Sequence, residues 1–166
     1  MSLNPPEALK ESAVIVLLEE TSDSLILTQR SPNLRDHPGE VCFPGGRWNE
    51  GDATLWMTAL RELQEELGID SARVRLVKEL QRDQTHNGTI IHPWLASIAT
   101  LEPYTANIDE VASVFKLPLI EVRAPANYKD IVVERYGWVV NTCQFIASNY
   151  FVWGATARIM RQLSVN

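Results

Sequence analysis

Apolar residues come first in short, β-branched blocks. Ser12-Ala13-Val14-Ile15-Val16-Leu17-Leu18 predicts a buried strand, Glu19 to Asp23 a polar turn, and Ser24-Leu25-Ile26-Leu27-Thr28 a second strand, so the two form a hairpin. Residues 31–51 break this pattern. They hold Pro32, Pro38 and Pro44 with Gly39, Gly45, Gly46 and Gly51, half of the chain's eight glycines. That density predicts a long ordered loop, interrupted at most by a short strand around Val41-Cys42-Phe43, and such loops tend to carry function. A helix follows, capped by Asp52 and ended by Gly68, with Trp56, Ala59, Leu60, Leu63 and Leu67 on one apolar side. Further strands are expected at Val74–Leu80, Thr89–Ile98, about Val111–Leu117, and in Ile131–Val140 with Thr142–Ala147 behind it. A last helix covers about Trp153–Leu163, with Ala157, Ile159, Met160 and Leu163 as its apolar positions. Strands mixed with two or three helices, without regular βαβ alternation, predict an α+β fold: an α/β/α sandwich on a mixed sheet.

Length and charge narrow the function classes. At 166 residues one domain is the default, with its core over about residues 12–163. Cys42 and Cys143 are too few for a disulfide scaffold and are expected as buried, inert thiols. The longest apolar run, Ala13 to Leu18, is far short of the roughly 20 residues of a membrane span. Met1-Ser2-Leu3-Asn4-Pro5-Pro6 does not read as a secretory signal, nor Ser164-Val165-Asn166 as an address, which points to the cytoplasm. Fifteen Lys plus Arg against 21 Asp plus Glu, a net charge of −6, disfavour a general nucleic-acid binder and leave a small-molecule partner. No interface pattern fixes the oligomeric state, and a homodimer stays open.

The chemistry gathers on the central helix. Opposite its apolar side lie Glu62, Glu65 and Glu66, which share a face at i, i+3 and i+4. Like charges at that spacing repel, and the negative end of the helix dipole adds a second penalty. A hard divalent cation would turn both into attractions. A plain solvated acidic face is the alternative. Phe43-Pro44-Gly45-Gly46 lies just upstream, and glycines let backbone approach a metal or phosphate closely.

A Gly-Gly loop followed by a helix ending Arg61-Glu62-Leu63-Gln64-Glu65-Glu66-Leu67-Gly68-Ile69 resembles the Nudix box, Gly-x5-Glu-x7-Arg-Glu-U-x-Glu-Glu-x-Gly-U with U aliphatic. Every fixed position of the second half is matched. The first half departs: the sixth residue after Gly46 is Asp52 instead of Glu, and eight residues instead of seven separate it from Arg61. One Nudix subgroup, the coenzyme A diphosphatases, is similar there. Its upstream signature resembles Leu27-Thr28-Gln29-Arg30-Ser31-x-x-Leu34-Arg35-x-His37-x-Gly39-Glu40-Val41-Cys42-Phe43-Pro44-Gly45-Gly46. Asp109-Glu110-Val111 and Tyr150-Phe151-Val152-Trp153-Gly154-Ala155-Thr156-Ala157 are similar to the same subgroup.

The resemblance implies a Nudix-type sandwich and Mg²⁺- or Mn²⁺-dependent hydrolysis of coenzyme A or acyl-CoA to 3′,5′-ADP and 4′-phosphopantetheine or its acyl form. It implies Glu62, Glu65 and Glu66 as metal ligands, one of them a general base, with Gly46 offering its carbonyl. Arg61 would orient these carboxylates, against a plain surface pair with Glu65. Glu110 is the acid expected from outside the box, against a role as loop solubiliser. Arg30, Arg35 and His37, with Gly45 and Gly46, are the expected substrate-side residues, since arginine forks suit phosphates. Arg47 is expected in solvent, and His86 and His92 as structural. His92 stands where the subgroup differs, which bears on specificity. Trp153 is expected in the core, with a wall for adenine or pantetheine as the alternative. Another nucleoside diphosphate derivative such as ADP-ribose, a nucleoside triphosphate, or a non-catalytic nucleotide-binding module are the competing functions.

Overall fold

The computed structural model describes residues 10–135 and 137–164; Met1–Pro6, Val165 and Asn166, considered above for targeting, lie outside them. β1 (Glu11–Glu19) and β2 (Ser24–Arg30) form the expected antiparallel hairpin, with Leu18 opposite Leu25. β3 (Val41–Cys42) pairs with β2. The long loop contains one more strand than expected. β4 (Gly45–Arg47) pairs with β1, although Gly-Gly-Arg has little strand propensity, because β1 offers it Ser12, Ala13 and Val14 as partners. α1 (Leu55–Leu67) follows. Its cap is Thr54, whose side chain accepts from the Met57 amide, and not Asp52; Gly68 ends it in the left-handed conformation, φ 63°.

β5 (Val74–Glu79), the short β6 (Asp83–Gln84) and β7 (Ile90–Ile98) complete one side of the sheet, and β7 runs parallel to β1 over its whole length. β8 (Val111–Pro118) pairs with β2 on the other side. After the single-turn α2 (Leu119–Val122) comes a second sheet of β9 (Tyr128–Arg135), β10 (Trp138–Phe145) and β11 (Val152–Trp153), ending in α3 (Gly154–Arg161). The strand expected over 131–140 is therefore two strands. Apolar residues flank the turn on both sides, and Gly137, φ 78°, is a turn residue hidden among them.

Alternation along β1 builds two cores on one sheet. Ala13, Ile15 and Leu17 face α1 and bury Ala59, Leu63 and Leu67. Val16 faces the other way, into a core with Leu25, Leu27, Phe145, Ile159 and Met160. Helices thus lie on opposite faces of a large mixed sheet, the expected α+β arrangement, and the small sheet shares the α3 face. Glu19, 2% exposed, closes the far end of β1. Burial pushes its carboxyl up, but Lys116, Ser22 and the Leu101 amide outweigh that and hold it below its ordinary value. Among the described residues no helix is long and apolar enough to cross a membrane.

Candidate active site

The site's floor forms where β4 crosses between β1 and α1. A Cβ on Gly45 would lie 2.4 Å from the Ala13 carbonyl oxygen and 2.7 Å from Val14 Cα. One on Gly46 would lie 2.5 Å from the carboxyl carbon of Glu62. The first glycine thus allows a strand to lie against β1, and the second lets a helix carboxylate rest on the loop. The Gly45 amide donates to Glu66 Oε2 at 3.2 Å. The end of α1 supplies the third acid. Its last carbonyls, on Glu66 and Leu67, accept from the amides of Asn107 and Thr105 at 2.8 and 2.9 Å. That docked loop carries Glu110, whose carbonyl accepts from the Ser31 amide at 2.9 Å, and Glu62, Glu66 and Glu110 all line one cavity.

Glu66 is not on a solvated face: it is 8% exposed. Burial above all, then the charges of Glu62 and Glu110, push its carboxyl up to about 8, against the Gly45 amide and Arg30. Burial also raises Glu62, with Arg61 opposing it and Glu65 and Glu110 adding to it. Glu65 turns away; half exposed, it pairs with Arg61 at 3.2 Å and does not line the cavity. Among the described residues no three His, Cys, Asp or Glu side chains form a complete metal cage. The donors still fit Mg²⁺ or Mn²⁺, because Mg²⁺ needs only one or two carboxylates, completed by water and substrate phosphate oxygens. Buried carboxylates that repel one another are what a cation relieves.

A pH dependence follows. The folded chain holds a proton on Glu66 that the unfolded chain releases near pH 4.5. The stability from that proton is complete below about pH 4.5 and is lost as pH rises through about 8. Metal-free protein in chelator is expected to melt roughly 5–10 °C lower at pH 8.5 than at pH 5.5. Glu66→Gln should flatten most of that slope, and added Mg²⁺ should stabilise more at the higher pH. Calorimetric scans check this, and equal slopes in the two proteins would remove Glu66 as its source.

Arg61 joins helix and loop. Nε and Nη2 grip both oxygens of Asp52 at 3.0 Å each, Nη1 reaches Glu62 at 3.0 Å and Glu65, and Nη2 also donates to the Arg47 carbonyl at 3.0 Å. The guanidinium beside Asp52 holds that carboxyl well below the usual carboxylate range. Asp52 therefore clamps Arg61 instead of capping the helix. It also accepts from the Thr58 hydroxyl at 2.9 Å and the Asn49 amide at 3.0 Å.

The cavity, about 470 Å³, has walls from distant parts of the chain. Of the expected substrate-side residues it gathers Arg30, His37, Gly45 and Gly46. Arg35 is exposed and does not line it. Arg30 donates to the Asp36 carbonyl at 2.9 and 3.2 Å, which shapes the 31–40 loop. His37, at a left-handed φ of 51°, places Nδ1 2.9 Å from Arg135 Nη2 and 3.0 Å from Glu40; when it accepts from the guanidinium it cannot also donate to the carboxylate. Arg47, although exposed, lines the cavity as well. So does Trp153, expected in the core: it ends β11 at the cavity rim and is only partly buried. Cys42 lies in the wall with its thiol pushed up to about 11 by burial, and burial likewise raises Cys143. His86 packs edge-on to Trp138, and buried His92 lies 3.4 Å from Glu11, both outside the cavity. Arg135, Thr85, Asn87 and Thr89 also line it and belong to no motif that the sequence offered.

The NUDIX domain profile matches residues 9–132, most of the chain. The chain belongs to the Nudix hydrolase family. It is 38% identical over 157 residues to the uncharacterised Nudix hydrolase NudL of Klebsiella pneumoniae strain 342, covering 94% of this chain and 82% of that one. To NudL of Shigella boydii serotype 4 it is 34% identical over the same shares. Among solved structures, a MutT/nudix family protein from Enterococcus faecalis has a TM-score of 0.60 at 19% identity, covering 98% of this Nudix chain and 63% of the other. The Nudix domain of Shewanella oneidensis NrtR, complexed with ADP ribose, has a TM-score of 0.55 at 22% identity, covering 72% and 80%. These two likenesses show a shared fold.

Proposed function

We propose that this Nudix hydrolase cleaves the pyrophosphate bond of coenzyme A or acyl-CoA in the cytoplasm, giving 3′,5′-ADP and 4′-phosphopantetheine or its acyl form. One observation carries the proposal. From the segment that resembles the coenzyme A diphosphatase signature, Arg30, His37, Glu40, Val41, Cys42, Phe43, Gly45 and Gly46 all line the cavity above Glu62 and Glu66. A stretch chosen for resemblance alone has no reason to converge on one cavity.

Glu62, Glu66 and the Gly46 carbonyl, with Glu110 beside them, would hold Mg²⁺ or Mn²⁺, and Glu65 would join only by releasing Arg61. When bound, the cation neutralises charge on the pyrophosphate oxygens and makes water more acidic. Arg61 keeps the Glu62 carboxylate turned to the loop. A carboxylate of the Glu62, Glu66 and Glu110 group takes the proton of the water that attacks phosphorus. Arg30, Arg47 and His37 at the wall meet the anionic substrate.

A panel of CoA, acetyl-CoA, oxidised CoA, ADP-ribose and a nucleoside triphosphate, each with Mg²⁺ and with Mn²⁺, tests the proposal, with products weighed by mass spectrometry. The expected product is 3′,5′-ADP. Brisk turnover of ADP-ribose or the triphosphate with CoA untouched would reassign the substrate, and no turnover of any would leave a binding module.

A further inference from the structure

The carboxylate floor explains where a pyrophosphate sits, but not the opposite rim of the cavity. There Trp153, in register with Gln144 of β10, has two flat neighbours. Phe151 stacks on it nearly parallel, with centroids 5.7 Å apart and planes 20° apart. Phe151 is 53% exposed and does not line the cavity, whereas Trp153 does, so the phenyl ring backs the indole from outside. The guanidinium carbon of Arg135 lies 5.4 Å from the indole centre, and Arg135 lines the cavity too. Its fork is anchored across the cavity mouth by Glu40 and by His37 Nδ1, the latter at 2.9 Å.

We propose that Trp153 and Arg135 form a stacking slot for the planar heteroaromatic base of a nucleotide substrate, with Trp153 as the specificity residue at that end of the cavity. The inference rests on the reading that the substrate is a nucleoside diphosphate derivative, and it names the part that the metal-binding floor leaves unrecognised.

The geometry favours a flat ring over a flexible chain. Indole and guanidinium are both planar and both stack on bases. A ring between them needs about 3.5 Å on each side, or about 7 Å between the plates. With its carbon 5.4 Å from the indole centre, the guanidinium itself now covers that ring. Opening the slot requires the guanidinium to swing outward by about 2 Å or more, within the reach of a long, flexible side chain. Phe151 stiffens the other plate, so little order is lost when a base arrives. An aliphatic arm would gain contact area there but no stacking.

The test is binding, separate from turnover. Metal-free protein is titrated with AMP and with ribose 5-phosphate, which lacks the base, by calorimetry. Wild type is expected to bind AMP the more tightly. Trp153→Leu should lose about 10-fold or more on AMP and little on ribose 5-phosphate, while Trp153→Phe keeps most of the affinity and controls for folding. Arg135→Lys, which keeps the charge but not the plate, should lose about 3-fold. With a cleavable nucleotide, the Trp153→Leu loss should fall on KM and not on kcat. Unchanged AMP affinity in Trp153→Leu, or equal losses on both probes with circular dichroism as in wild type, would overturn the slot. The two proposals fail separately. AMP held through Trp153 with no diphosphate cut sinks the enzymatic reading and supports the slot, and CoA hydrolysis with unaltered KM in Trp153→Leu does the reverse.

Discussion

Glu66→Gln is expected to lower turnover by about 10³-fold or more while leaving the fold intact. The two halves of that outcome have one origin. Glu66 is buried against the Gly45 amide, and its carboxyl, pushed up to about 8, is largely protonated in the cation-free protein at neutral pH. Glutamine has the shape of that neutral acid and can still accept from Gly45, so the packing barely notices. What it cannot do is become an anion, which both a cation and a proton-accepting role require. Steady-state kinetics at saturating Mg²⁺, alongside a melting curve, checks this. A rate within tenfold of wild type would take Glu66 out of the chemistry.

Gly45→Ala is expected to act on stability instead. Its Cβ would meet the Ala13 carbonyl oxygen at 2.4 Å and Val14 Cα at 2.7 Å. Both are backbone atoms of β1, which lies between β7 and β4, so neither can swing aside. A loss of about 3–5 kcal/mol is expected, or roughly 10 °C or more in Tm. Gly46→Ala is the informative contrast. Its Cβ meets the tip of Glu62, which can rotate away, so the chain should fold nearly as before with the carboxylate displaced and activity lost. Gly45→Ala melting with wild type would mean that β4 does not sit this close to β1.

Where periodicity was the signal, the sequence was legible. β1, β2 and α1 fall where their apolar spacing puts them, because a buried stripe leaves one workable register. The β9–β10 turn was not, since valines on both sides mask it and one glycine is weak punctuation. Asp52 is by type the better cap residue than Thr54, but Arg61, nine positions along, engages both of its oxygens and the helix is capped by Thr54. Of the residues lining the candidate site, Glu62, Glu66, the glycines and Arg30 were singled out from spacing and resemblance. That Glu66 is buried while Glu65 is outside was not, because helical spacing alone puts them on one face. Arg135 carries no local signature; its place depends on the small sheet folding back over the loop at residues 31–40. Trp153 sits at a strand–helix junction, where an aromatic can face the core or a ligand with equal ease.

Arg61 has the last word on how the molecule moves. With every arm of its fork engaged across Asp52, Glu62, Glu65 and a loop carbonyl, it welds the glycine bend to the helix. Lysine, with a single compact head group, could not rivet so many points at once. The bed under the reacting bond is therefore stiff. Arg135 ties a different pair of elements, joining the small sheet to the 31–40 loop through Glu40 and His37.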